Sequence, residues 1–535
     1  MGKQNRNWRT CRRPVLAAVT VFLILAVLPV GSKEPPAKSQ LSPEALRKAR
    51  ALGEALRRKP WVEPLPDVRV EMTRPFVKES DLGPESAYKL LLEAIKLPKD
   101  PEAADGAPRV WRTGWKDALD KLSVHPWPQE PPPLALKALP ADDSALAPKA
   151  PWTREQYEDI LRRIDLYRPN VAMLDKALAA PNPQVPTAGS PDFPLPYLSG
   201  ARDLACLLSI SAQYRAATGD YAGCQRDLER AVAAGNLVSR GGCLIGHLVG
   251  MACDVIAVRA ARHICRHYRP SVADQKALAR SFLHHEDDVE PFVEAMRAEA
   301  LLAGSAVEMV YRQANLDPFN RPQPAAPPEG WQKVGFAALM LAGSDEQTTK
   351  RNIEMCYRHL VAIATKPYSA AAQSEYDTFF GGLLRPDHGP LKRVLRAHDP
   401  VGLILAGMLL PALDHAHVKH AIRAASLRGM ALFCAIKAYE KKHGALPDRL
   451  DQLVPDYLPR VPKDPFDSKP FRYLKGNVPG LVPKAWAVYS IGKDFADDGG
   501  TATSVGNPRN GPTSNPDLVW PSQAYPKAEP AADDE

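Results

Sequence analysis

The stretch "ARDLACLLSISAQYRAATGDYAGCQRDLERAVAAGNLV", Ala201 to Val238, decides the fold class. Apolar and small residues recur every three to four positions on both sides of Thr218-Gly219-Asp220, a period that belongs to amphipathic helix. Gly219 supplies the turn and Asp220 an N-terminal cap, so the segment predicts a helix, a tight turn, and a second helix ending near Gly235. Helices joined by so short a turn pack antiparallel.

The same texture continues outward. "GCLIGHLVGMACDVIAVRAARHICRHY", "SVADQKALARSFLHH" and "PFVEAMRAEALLAGSAVEMVYRQ" read as further helices, and a proline-rich gap, "LDPFNRPQPAAPPEGW", precedes another helix at Thr348 to Ile363. Residues 200–398 therefore form an all-α body. The part "YRAATGDYAGCQRDLERAVAAG" resembles half of a tetratricopeptide repeat, with Gly219, Tyr221 and Ala231 in matching places. Repeat domains need about three units or more, and only this one is visible, so a helix pair is expected and not a solenoid.

Upstream, residues 31–199 are a Pro-rich segment with short helices. "SPEALRKARALGEALRR" begins on Ser42 as a cap with Pro43 in the first turn, and "ESAYKLLLEAIKL" follows the same logic. Between and after them, "EPPPLALKALPADDSALAPKAP" and "APNPQVPTAGSPDFPLPYL" can sustain neither helix interior nor central strand. The 54 prolines in 535 residues are about twice the usual share, so long connections are expected.

The formal charge of +8 is concentrated at the start, where Lys3, Arg6, Arg9, Arg12 and Arg13 carry five cations without an acid; removing them leaves +3. The remaining Lys and Arg are interspersed with Asp and Glu, which argues against a nucleic-acid partner. Residues 1–13 form a basic cytoplasmic n-region, and "PVLAAVTVFLILAVLPV", Pro14 to Val30, is a charge-free run that reads as a transmembrane anchor or a signal peptide. Its length favours the anchor, with cleavage after Gly31-Ser32 as the alternative. The expected location is the bacterial inner membrane, single-pass, with most of the chain on the periplasmic side. Other envelope proteins are the expected partners.

Seven cysteines, Cys206, Cys224, Cys243, Cys253, Cys265, Cys356 and Cys434, lie in helical patterns without zinc or redox spacing, and Cys11 lies in the targeting segment. They are expected as small buried hydrophobes, with room for one helix-to-helix bridge in an oxidising compartment. Among polar clusters, His263 and His267 in "RHICRH" share a helix face. "HHEDD", His284 to Asp288, stands where a helix ends before Pro291. "DHAHVKH" places Asp414, His415, His417 and His420 on what reads as the exposed face of an amphipathic helix. Neither the serine elbow, the phosphate loop, the dinucleotide fingerprint nor HExxH occurs, so no catalytic residue is assigned.

The C-terminal quarter carries the clearest organisation. Ala412 to His443 reads as one long helix stopped by Gly444 and Pro447, followed by a short helix or turn in "PDRLDQLVPDYLP". "PKDPFDSKPFRYL" makes a turn into a strand, "KAWAVYSI" a second strand, and "YSIGKDFADDGG", Tyr489 to Gly500, an acidic glycine loop. This order, closed by "DLVW", resembles the globular domain of the major pseudopilin of type II secretion systems, over residues 399–525. The resemblance implies a small α+β domain with a short antiparallel sheet and a structural calcium ion. The implied ligands are Asp494 and Asp517, with Asp497 and Asp498 as further oxygens. The residues alone also permit a hydrogen-bonded acidic turn. The chain departs from the family in lacking the "GFTLIE"-like start of a filament subunit and in inserting "TATSVGNPRNGPTSNP" before Asp517.

The whole chain is thus expected to be mainly α, with an acidic tail at 526–535, and resembles uncharacterised membrane-anchored bacterial envelope proteins. The function expected is structural or protein-interaction in type. The alternatives are an accessory of a secretion or pilus-like apparatus, or an envelope hydrolase using His263, His267 or His415 in the helical body.

Overall fold

The computed structural model describes residues 69–72, 76–96, 161, 164–188, 195–240, 243–268, 270–284, 289–313, 346–383, 399–476, 478–479, 485–500 and 518–521. The segment 14–30, the helix expected at 42–58, residues 285–288, Asp517 and the acidic tail lie outside the described residues.

Two short helices come first, α1 (Ala87–Ala94) and α2 (Arg168–Leu178). Ser86 caps α1 by accepting from the Lys89 amide at 3.4 Å, and Leu91 and Leu174 are fully buried. These helices of the proline-rich segment therefore belong to the main core. The expected helix pair follows as α3 (Pro196–Ala217) and α4 (Tyr221–Ser239), with Asp220 capping α4 through the Gly223 amide at 2.9 Å. Helix α4 runs past Gly235 instead of ending there. A Cβ at that position would stand 2.7 Å from the Gly250 carbonyl on α5 (Leu244–His267), so this glycine serves close helix approach and not termination.

The body continues with α6 (Val272–His284), α7 (Val289–Gln313), α8 (Glu346–Ala364), α9 (Ala370–Leu383) and α10 (Pro400–Leu409). Asp399, buried at the start of α10, accepts from the Gly402 amide, Thr349 and Asn352, which fixes α10 against α8. Helix α11 (Pro411–His443) begins on a proline that needs no donor and ends at Gly444, whose φ of 68° is the left-handed cap its sequence demands. Among the described residues, α5 is long and apolar enough to cross a membrane, and 67% of that window is buried against neighbouring helices, as in a core helix.

After α11 come β1 (Arg472–Lys475), β2 (Trp486–Ser490) and β3 (Leu518–Pro521). They form one antiparallel sheet in the order β1-β2-β3, with Tyr473 opposite Val488 and Val488 opposite Trp520. The β-branched and aromatic β2 is buried along its whole length, as a central strand covered on both faces must be. The sheet lies on α11, where Trp486 meets Phe433 with ring centroids 5.2 Å apart and Trp520 covers Gly429.

The protein is thus mainly helical with a small three-stranded antiparallel sheet. Its interior divides into two main hydrophobic clusters. The larger runs from Leu82 on the approach to α1 through α3 to α6, most of α11 and the sheet to Trp520. The second gathers α7, α8, α9 and α10 with Leu413 and Ala416 from the first turns of α11. Helix α11 passes from one cluster into the other, and so belongs to the helical body as much as to the sheet.

Candidate functional site

Chemistry-bearing side chains concentrate where α11 changes cluster. His417 and His420 are 1% and 5% exposed, which corrects the reading of "DHAHVKH" as a solvated face; only His415 of the three points outward. The cause is that α11 is covered on opposite sides by different layers, so the exposed stripe at this level narrows to His415 and Lys419. Phe292 of α7 stacks on both imidazoles, at 5.1 Å from His417 and 5.2 Å from His420. His247 of α5 meets His420 through Nε2 and Nδ1 at 3.2 Å.

Proton placement in this seam is constrained. The Tyr376 hydroxyl lies 3.1 Å from His417 Nδ1, and the imidazole is also hydrogen-bonded to the Lys366 backbone, so His417 is held as a neutral ring between two partners. In the His247–His420 pair one ring donates and the other accepts. Among the described residues, His247 Nδ1 and His420 Nε2 are buried without a hydrogen-bond partner, so there either tautomer leaves one N–H and one lone pair unanswered. Burial pushes His247 down to about 3 and His417 to about 4, and holds His420 well below the ordinary imidazole range. The Arg423 guanidinium adds to the depression at His247 and His420.

One turn further along α11, Arg423 pairs with the buried Asp254 of α5 through Nε and with Asn236 of α4 at 2.9 Å. Burial raises the Asp254 carboxyl, against the pull of Arg423. Glu299 of α7 is also raised by burial and accepts from the Leu244 amide at the start of α5, at 3.2 Å. The seam is therefore a layer of neutral imidazoles flanked by one buried ion pair. It can exchange protons at a cost in stability, and it holds α5, α7, α9 and α11 in register.

The acidic loop is tied to the sheet by hydrogen bonds and by an arginine. Arg472 of β1 reaches Asp464 at 3.0 Å, Asp467 at 2.5 Å and Asp497 at 3.3 Å. Asp464, fully buried, also accepts from the Phe466 and Ile491 amides and the Ser490 hydroxyl. Asp497 further accepts from Tyr489 at 3.0 Å and from the Gly499 amide at 3.1 Å, while Asp494 accepts from the Ala496 amide at 3.2 Å. A guanidinium thus stands beside Asp497 where the resemblance implied a metal cation, and Asp498 is exposed. Arg472 and Asp464 were not singled out by sequence; the only signal was a lone arginine in a strand beside three aspartate-bearing turns.

The remaining predicted positions do not converge. His263 is buried with Nε2 unpartnered among the described residues and its ring 4.4 Å from that of the exposed His267, while burial pushes it down to about 3. His415 Nδ1 stands 3.9 Å from Asp414 on the same helix turn. Among the described residues, no three His, Cys, Asp or Glu side chains are grouped as a metal site requires.

No protein-family model, curated protein or solved structure matches the chain.

Proposed function

We propose that this chain is a membrane-anchored cell-envelope protein of structural or protein-interaction type, held in the bacterial inner membrane by residues 14–30 with its body on the periplasmic side. The observation that carries the reading is the start of the sequence, five cations within residues 1–13 followed by the charge-free run Pro14 to Val30. Supporting it, the buried charged groups of the body serve helix packing. Asp227 is held by Ser211, Arg215 and Arg230, Arg230 continues to Asp175 of α2, and Arg423 ties α11 to α5.

The test is fractionation of the full chain and of a variant lacking residues 2–30. The full chain is expected in the membrane pellet, resisting extraction at alkaline pH, and the variant in the soluble fraction. A full chain that leaves the membrane as readily as the variant overturns the anchor and selects cleavage and export.

A second reading, an accessory of a secretion or pilus-like apparatus, is favoured by the order of the last elements. A long helix, a turn, three antiparallel strands and an acidic loop after β2 follow the order that the pseudopilin resemblance implies. Cross-linking of the full chain to a pseudopilin in intact cells would support it, and a cross-linked set without secretion components would remove it.

A further inference from the structure

Helices α5 and α11 touch through three pairs in the same order along both, His247 with His420, Asp254 with Arg423, and Cys265 with Cys434, so they run parallel. At the last contact the two sulfurs are 3.6 Å apart, and both side chains are buried in the larger cluster. We propose that Cys265 and Cys434 are a disulfide-forming pair that clamps α5 to α11. The proposal rests, for its occurrence in cells, on the reading that places the body outside the cytoplasm, where disulfides persist.

A disulfide needs about 2.05 Å between sulfurs, so each would move by roughly 0.8 Å from the 3.6 Å contact, within reach of small side-chain rotations on two packed helices. The bond would close a loop across 169 positions, holding α6 to α10 together with His417 and His420 between its ends, while His247 lies outside it. Cys224 on α4 is a competitor, since it lies in the same hydrophobic cluster and its thiol is raised by burial and next by Cys265. The close sulfur contact nevertheless joins Cys265 to Cys434.

The chemistry is thiol–disulfide exchange with a protein disulfide as oxidant. One thiolate attacks the oxidant's disulfide and expels a thiolate, and the second cysteine then displaces the oxidant from the mixed disulfide. The pair loses two protons and two electrons, and the oxidant becomes a dithiol. The Cys434 thiol is raised well above its ordinary value by the neighbouring Cys265 sulfur and by burial, which disfavours the attacking thiolate once the core is closed. The bond therefore forms while α11 is still docking onto α5, and the closed core then shields it from reductant.

The test uses the full chain in two arms. In the first, it is made with its own N-terminal segment in bacterial cells, trapped by acid and alkylation under denaturing conditions, and peptide-mapped with and without reductant. In the second, the purified chain is reduced, unfolded in urea and refolded in the presence of diamide, which takes up the two hydrogens itself. The pairing predicts one linked species joining the Cys265 and Cys434 peptides, about 2 Da lighter than the two free peptides together, and its loss in Cys434→Ser. Linkage in both arms supports the pairing together with the exported placement. Linkage with diamide alone supports the pairing and overturns that placement. Both cysteines alkylated in both arms, or Cys265 linked to Cys224, overturns the pairing.

Discussion

Acidification should unfold this protein through its histidine seam well before ordinary acid denaturation begins. His247, His417 and His420 have folded-state values pushed below the ordinary 6.5, to about 3 and about 4 for the first two. When pH falls through the ordinary value, the unfolded chain takes up these protons and the folded chain does not, so stability falls with pH. Above about pH 7 all three are neutral in both states and contribute no slope. Each imidazole contributes about 1.4 kcal/mol per pH unit below its unfolded value, so the three together approach about 4 kcal/mol per unit between pH 6 and pH 5. His263, pushed down to about 3, adds with the same sign. Asp254 and Glu299 are raised in the fold and act oppositely, so they offset part of the loss near the carboxylate range. Against a total stability of roughly 5–15 kcal/mol, two pH units are enough to remove most of it.

The assay is urea unfolding of the full chain, followed by the fluorescence of the buried Trp486 and Trp520 at a series of pH values. The midpoint should be flat above about pH 7 and fall steeply below pH 6. His420→Gln should lower the midpoint at pH 7.5 by leaving His247 without its partner, yet reduce the slope below pH 6 by about a quarter, since it removes one of four depressed imidazoles. A midpoint that stays constant between pH 7 and pH 5 refutes the reasoning, because it would mean that the seam is either hydrated or already protonated in the fold.

Three further outcomes follow from the sheet and its loop. Gly429→Ala places a Cβ 2.4 Å from the Trp520 ring, so strand β3 must shift. The expected loss is about 1–2 kcal/mol despite the better helix former, read from urea midpoints. Arg472→Gln leaves the buried Asp464 without its cation, and about 3 kcal/mol should be lost, with Lys at this position restoring only part because it cannot span three carboxylates. Because Arg472 already supplies a cation to Asp497 at the edge of this loop, thermal melts in millimolar calcium and in chelator should coincide; a calcium-dependent rise that disappears in Asp494→Asn would restore the implied ion.

The backbone elements were legible because their signals are local. Asp220 as a cap, Gly444 as a left-handed stop and the aromatic, β-branched "AWAVYSI" each act over a few residues, and the structure places helix starts, stops and the central strand accordingly. The seam was not legible, because burial of His417 and His420 depends on Phe292 and His247, which lie more than a hundred positions away in sequence. Polar residues spaced along a helix look solvated unless both neighbouring layers are known. Gly235 misled for the same reason: glycine near a helix end suggests a stop, and only the Gly250 carbonyl across the interface reveals close packing. In the loop, the three aspartates were visible, whereas the arginine that holds Asp497 came from a strand 25 positions earlier.

Protease treatment of spheroplasts measures directly on which side of the membrane the body resides. The full chain, carrying a C-terminal epitope, should lose the epitope when protease is added to intact spheroplasts, while a cytoplasmic marker survives. Full protection of the epitope until the inner membrane is lysed would place the helical body and sheet in the cytoplasm and contradict the envelope reading.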